Sequence, residues 1–428
     1  MAVKTFCYFK KPVFLSSLIC IFIFYSGLVK IPDRNKTRYL LKENEIKFIS
    51  GKMLSSPAKI SSGKYYSADF ALEAVKDKNG ITSSAKGRLK IYIPSEIAEA
   101  YSPGKLFSTA KNYRSKKNHS EVYLYESGGR YTFTGKSTPK GFYAENCTAC
   151  EWTPDAKGRL QYLRALCRLH FKRLMYGWGS AGGLLLALLS GAREYTDAAT
   201  QDNFRRAGLS HILALSGMHL SMFSAIAIFF GNRAGIKKLT FILRIIALIC
   251  FVWFAGFSPS LLRAFICTML TILAAIAGTK EPDMLSILSF SFLLQCAISP
   301  SDIHTTGFIL SYGALAGILL TARFFTRFYS SFTPKSISAS LSAATGAQTL
   351  TAPISLKLFG SFSPIGILSA TIVSPFITVF IYSGLLLIIL SLIFPVLAKA
   401  SGIFINLQYT VIKSIVKIFS LVPNWSIT

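Results

Sequence analysis

Residues 203–230 read NFRRAGLSHILALSGMHLSMFSAIAIFF. The apolar run from 209 to 230 is long enough to cross a bilayer as a helix. It carries His211 and His219 with Ser216-Gly217 between them, and Arg205 and Arg206 stand just before it. Ionisable groups in such a run are costly to keep in hydrocarbon, so they mark function rather than packing alone. This stretch makes the chain a membrane protein and its histidines the first candidates for a site.

Composition agrees. The chain has 428 residues, 51% of them apolar or aromatic, and a mean hydropathy of +0.45, too apolar for a soluble domain. Lys and Arg outnumber Asp and Glu 47 to 19, which points to an anionic partner, nucleic acid or anionic lipid. Part of that excess has a topological cause, because cytoplasmic loops of membrane proteins are rich in Lys and Arg. Of eight cysteines, Cys20, Cys250, Cys267 and Cys296 fall in apolar runs, where a small buried thiol is the ordinary reading.

The chain opens with Lys4, Lys10 and Lys11 ahead of an apolar run at 13–29. Without a small-x-small cleavage site this reads as a retained anchor with a cytoplasmic N-terminus, so 1–30 forms an N-terminal transmembrane anchor. Residues 31–153 are polar and basic, with short alternating segments at 45–53, 65–75, 88–93, 121–125 and 130–133. Five such segments between turns predict a small extracytoplasmic β-barrel, OB-like, whose open face suits single-stranded nucleic acid. Tyr66, Phe70, Tyr92 and Phe107 serve either that face or the core. Gly129, Gly135, Lys136 and Ser137 imitate a phosphate-binding loop, but Arg130 stands where its first glycine belongs. No nucleotide site is read, and no cofactor or metal is expected. Cys147 and Cys150 form a CxxC read as a local disulfide, with zinc or a redox role as alternatives. Zinc would have to draw on His119, Cys167 or His170.

Residues 154–192 read as a basic amphipathic helix at 159–178, suited to lie on a membrane face, and then a short apolar segment at 181–189, re-entrant or interfacial. The rest, 193–428, reads as spans at 209–230, 240–257, 261–278, 284–298, 305–321, 337–357, 364–394 and 400–421. Arg233, Lys237 and Lys238 mark one loop and Arg323, Arg327 and Lys335 another on the same side, which the positive-inside rule makes cytoplasmic. Counting back places Arg205 and the β-domain outside. Gly346, Gln348 and Pro353 in one span, and Ser369, Ser374 and Pro375 in the next, suit a bundle interior or a wet cavity rather than lipid. Arg263, in SPSLLRAF, either snorkels or lines a passage.

Four blocks then carry a resemblance: GLSHILALSGMHLS (208–221), SPSLLRAF (258–265), TTGFILSYGALAGIL (305–319) and AQTLTAPISLKLFGSFSPIGILSATIVSPF (347–376). In order and spacing they resemble the ComEC family of competence proteins, and the β-rich region after the first span fits as well. The resemblance implies a multi-pass protein of the bacterial inner membrane that passes incoming single-stranded DNA into the cytoplasm during natural transformation, as a channel. It places His211, Ser216, Gly217, His219, Arg263, Ser311 and Gln348 along the passage; the topology count puts Arg205 and Arg206 at its outer mouth, where they would steer DNA toward it. The partners it implies are single-stranded DNA, membrane lipids, a DNA receptor, and a cytoplasmic helicase and single-strand-binding protein. Homo-oligomerisation stays open.

Many family members carry a C-terminal metallo-β-lactamase-like domain. Its HxHxDH cluster does not occur here, so this reads as a short form served by a separate nuclease, and the chain is not expected to be an enzyme. Two other classes remain. Ser216 with His211 or His219 could form an intramembrane catalytic pair, although positions three apart on one helix seldom aim an imidazole at a hydroxyl. Alternatively the chain is a non-transport envelope scaffold.

Overall fold

The computed structural model describes residues 12–26, 37–38, 45–60, 63–77, 80–98, 125–279 and 282–426. After helix α1 (Pro12–Tyr25) come β1 (Ile46–Met53), β2 (Ala58–Lys59), β3 (Tyr65–Asp77), β4 (Thr82–Pro94), β5 (Arg130–Thr138) and β6 (Gly141–Glu151). β1 pairs antiparallel with both β3 and β5, β5 with β6, and β3 with β4, while β4 and β6 run parallel. Each of the five long strands therefore has a partner on both edges. Alternation aims Ile49, Phe70, Ile91, Phe133 and Phe142 into one core, all at most 1% exposed. Backbones approach closely at Gly51, where a Cβ would stand 2.1 Å from the Ala71 carbonyl oxygen.

Four expected segments correspond to β1, β3, β4 and β5. The expected strand at 121–125 falls mostly outside the described residues, as do Phe107 and His119, and Tyr125 is not in a strand. The fifth long strand is β6, whose alternation is interrupted by Glu145-Asn146. It holds Cys147 and Cys150 as free thiols, so the expected bridge is not formed. Burial pushes the Cys147 thiol up to about 12 and makes it a packed, unreactive group.

The helical part comprises α2 (Ala156–Gly177), α3 (Gly179–Ser190), α4 (Ala198–Arg206), α5 (Ser210–Leu213), α6 (Gly217–Arg233), α7 (Lys237–Ala255), α8 (Pro259–Ile276), α9 (Met284–Ile298), α10 (Thr306–Tyr329), α11 (Lys335–Phe359), α12 (Gly366–Ile393) and α13 (Ala398–Ser420). Five are long and apolar enough to cross a membrane: α7, α8, α10, α12 and α13 with its preceding turn. The protein is thus mostly helical and membrane-embedded, with a sheet domain near its N-terminus. α6 and α9 are apolar but shorter. α11 is long but rich in Ser, Thr and Ala, and it packs backbone to backbone on α10, where a Cβ on Gly317 would meet the Gly346 carbonyl at 2.2 Å.

Two expectations fail here for physical reasons. The apolar run 209–230 is not one helix: α5 ends at Leu213, Ala214 is extended, and α6 starts afresh at Gly217 from an extended Ser216. Nor does α2 spend its cations on a membrane face. It runs into the bundle, and α3, which is apolar on every side and buried from Ala181 to Ser190, returns antiparallel to it. The tip of this hairpin is Trp178, whose indole Nε1 donates to Ala398 O at 2.9 Å, while its carbonyl accepts from Asn406 Nδ2 at 2.8 Å. Trp178→Phe keeps most of the packing but removes the indole hydrogen bond to the Ala398 carbonyl, so the thermal midpoint of detergent-purified protein should fall by the equivalent of about 1 kcal/mol.

A broken helix as the candidate functional site

The break at 214–216 is held from several sides. Ser260 Oγ, in the first turn of α8, donates to Leu215 O at 2.9 Å. On the other side, Ser363 Oγ donates to Arg206 O at 2.9 Å and Ser369 Oγ to Ala207 O at 2.6 Å. Gly208, at φ +72°, presses on the start of α12 so tightly that a Cβ would lie 2.8 Å from the Gly366 Cα. Side chains from distant elements thus take the Leu215 carbonyl in the break and the Arg206 and Ala207 carbonyls ahead of α5, a tertiary cause that an apolar pattern does not reveal.

At the restart, Ser216 is the N-cap of α6 and His219 reaches back to it. The Ser216 backbone N–H donates to His219 Nδ1 at 3.2 Å, and Ser216 Oγ lies 3.3 Å from the same nitrogen. This is a capping box with His in the place usual for Glu or Gln. The break thus brings the Ser216 hydroxyl and the His219 ring together, where one continuous helix would have kept them apart. Because Nδ1 accepts a backbone N–H, the ring proton sits on Nε2, which is buried without a hydrogen-bond partner. His219 is 1% exposed. His211 is exposed on the separate turn α5, its Nδ1 3.2 Å from Gly208 O, so the two histidines share no helix face.

Arg263 and Ser311 join the break from α8 and α10. Arg263 Nη1 donates to Ser311 O at 3.0 Å, and its Nη2 lies 3.5 Å from where a Cβ on Gly217 would be. Its Nε is buried without a partner, and among the described residues no carboxylate pairs with it. Gln348, on α11, stands apart with Gly366 and Gly208: its Nε2 would be 2.8 Å from a Cβ on Gly366, and its Oε1 is buried and unpartnered. The seven residues therefore fall into two groups on either side of the turn 208–216. One is Ser216, Gly217, His219, Arg263 and Ser311; the other is His211 and Gln348 around the Gly208–Gly366 contact. Arg205 and Arg206 end α4, 74% and 60% exposed, and share Asp202 at 2.6 and 3.0 Å.

Two polar clusters near the break are absent from the sequence reading. Tyr312 Oη donates to Gln295 Oε1 at 3.0 Å, Gln295 Nε2 donates to Pro259 O at 3.1 Å, and Ser291 Oγ lies 3.3 Å from Tyr312 Oη. This cluster ties α8, α9 and α10 together at the level of Arg263. Gln295 within SFLLQCAIS was its only signal. The second group is ionic. Glu126, just before β5, is 2.7 Å from Lys172 Nζ and 3.3 Å from Arg168 Nε, and Lys172 also meets Glu194 at 2.9 Å. Arg168 Nη1 donates to Ser190 O, Phe254 O and Ala255 O at 3.1–3.3 Å, the carbonyl ends of α3 and α7. Burial would raise the Glu126 carboxyl, but Lys172 and Arg168 outweigh it and hold it down at about 2. The cations of α2 thus fasten the sheet domain to the end of the bundle that carries the break.

The family model described as Competence protein matches residues 188–428, more than half of the chain and all of the site. Among curated proteins, ComE operon protein 3 of Bacillus subtilis (strain 168) is 27% identical over 203 residues, covering 47% of this chain and 25% of that protein. Recombination protein 2 of Haemophilus influenzae (strain ATCC 51907 / DSM 11121 / KW20 / Rd) is 26% identical over 215 residues, covering 48% of this chain and 27% of its own length. The matched region thus takes up about a quarter of each relative. No solved structure matches. With its break, its arginine and its small-residue helix contacts all inside the matched region, the chain belongs to the ComEC family of competence proteins.

Proposed function

We propose that the protein is a channel that passes single-stranded DNA across the bacterial inner membrane during natural transformation. The observation that carries this reading is Arg263: a cation in a candidate span, beside a broken helix, with no carboxylate paired to it among the described residues. A cation kept in a membrane without a counter-ion suits an anionic substrate that passes by. The ring of pairings β1–β3–β4–β6–β5–β1, with one parallel contact, supports an OB-like barrel for the sheet domain. On its outer face Tyr92 stacks on Tyr143 at 4.6 Å and Tyr65 meets Tyr143 at 5.5 Å, with Lys90 and Lys136 alongside, a surface suited to unstacked bases. In this reading the barrel and exposed Arg205 and Arg206 lie outside and collect DNA, and the N-terminus lies in the cytoplasm. A DNA receptor and a cytoplasmic helicase and single-strand-binding protein complete the system; a homo-oligomer is compatible with it.

Ser216 Oγ, 3.3 Å from His219 Nδ1, favours one other reading, an intramembrane hydrolase. The backbone N–H of Ser216 already occupies that nitrogen, so the ring is spent as a cap and is not free to take the hydroxyl proton. The channel reading is tested by deleting the gene and following labelled DNA into the cytoplasm and at the cell surface. Internalisation should be lost while surface binding persists; normal internalisation in the deletion strain overturns it.

A further inference from the structure

We propose that the start of α6 is a binding site for a single phosphodiester group of the passing strand, with Arg263 as its charged contact. The inference rests on the channel reading and adds to it the place and chemistry of contact. Two sets of donors meet at this turn, and a third lies unspent close by. The Arg263 guanidinium lies against Gly217, its Nη2 3.5 Å from the Cβ position, with only Nη1 committed, to Ser311 O. Gly217 and Met218 are the first residues of a 17-residue helix, where backbone N–H groups have no intrahelical acceptor and the helix dipole favours an anion. His219, on the same turn and 1% exposed, keeps an unspent Nε2–H. A phosphodiester, with one negative charge and two acceptor oxygens, matches a guanidinium fork beside helix N–H groups; a carboxylate from the chain would fill the same place, and none is paired there among the described residues.

The arginine is also positioned for the task. Its one described acceptor, Ser311 O, sits next to Tyr312, which Gln295 and Ser291 hold through α9. Gln295 in turn grips Pro259 O at the start of α8, one turn before Arg263. The relay fixes α8 and α10 on both sides of the guanidinium without taking its remaining donors. A Cβ at Gly217 would touch the Arg263 Nη2 and the Ala264 Cβ, both at 3.5 Å, so the bare glycine keeps the guanidinium next to the helix start.

The test crosses a protein change with a change in the strand. Internalisation is measured in cells carrying wild type, Arg263→Gln or Arg263→Lys, with native donor DNA and with donor strands containing a tract of uncharged methylphosphonate linkages. Surface binding and the amount of protein in the membrane are followed in parallel. With native donor, Arg263→Gln should lower internalisation by about tenfold, the worth of one charge-assisted contact, and Arg263→Lys by less, with surface binding unchanged. In wild type the neutral tract should slow entry by a similar factor, and Arg263→Gln should add nothing to that loss. Independent, multiplying losses overturn the proposal, because Arg263 would then act on packing or on a lipid phosphate instead of the strand. Equal entry of native DNA into wild-type and deletion cells would sink the channel reading itself, a distinct outcome.

Discussion

Replacing Glu126 by Ala or Gln is expected to destabilise the junction between the sheet domain and the bundle by about 3–5 kcal/mol, the usual consequence of removing one partner from a buried ion network. Glu126 and Arg168 have side chains 3% and 4% exposed, and Lys172 is 12% exposed, so neither cation can turn to water once the carboxylate is gone. Lys172 retains Glu194, which leaves Arg168 as the group that suffers. The effect should depend on pH with a definite sign. The folded carboxyl titrates at about 2 against an ordinary 4.5, a gap of about 3 kcal/mol. A depressed value means the stabilisation is complete above pH 4.5 and is lost as pH falls from 4.5 toward 2. Thermal unfolding of detergent-purified wild type and Glu126→Gln should therefore converge across that acid window. A constant difference from neutral pH down to 2 would show that the carboxylate's charge contributes nothing.

How much of this was readable in advance differs between parts of the molecule. Spans α7, α8 and α10 and four of the five long strands follow from hydropathy and alternation, because burial against lipid or core imposes a local period on the sequence. The failures occur where a distant partner overrides the local pattern. Nothing within 209–230 announces that Ser260 takes the Leu215 carbonyl in the break and that Ser363 and Ser369 take those of Arg206 and Ala207 ahead of it. Arg164, Arg168 and Lys172 sit among leucines in an order that suits a membrane surface, yet Glu126, forty-odd positions earlier, and carbonyls at 254–255 turn them inward. Arg244, in span α7, passed unnoticed and donates to Ser224 Oγ at 3.0 Å. At the site, residue types were legible and their grouping was not: Arg263, Ser311 and Gly217 meet because three helices converge, while His211 leaves the group because the helix is broken.

His219 offers the sharpest separation between cap and catalyst. His219→Ala removes the acceptor of the Ser216 N–H and leaves a gap in a site only 1% exposed, a loss of about 1–3 kcal/mol. The start of α6 should fray, Gly217 should move from Arg263, and DNA internalisation should drop on the order of tenfold. His219→Gln is expected to behave differently. Glutamine is a usual third-position partner in a capping box; its amide oxygen can accept the Ser216 N–H and its amide N–H can replace the Nε2 donor. Internalisation should stay within about threefold of wild type, and Ser216→Ala, which loses one cap hydroxyl worth about 1 kcal/mol, should be similarly mild. A hydrolase built on Ser216 and His219 demands the reverse, because glutamine cannot act as a base and alanine has no nucleophile, so both changes would abolish function as completely as deletion. Measuring DNA entry and membrane levels for the three variants side by side decides between these roles: survival of His219→Gln fits the cap, and its failure at normal protein level assigns the imidazole a chemical one.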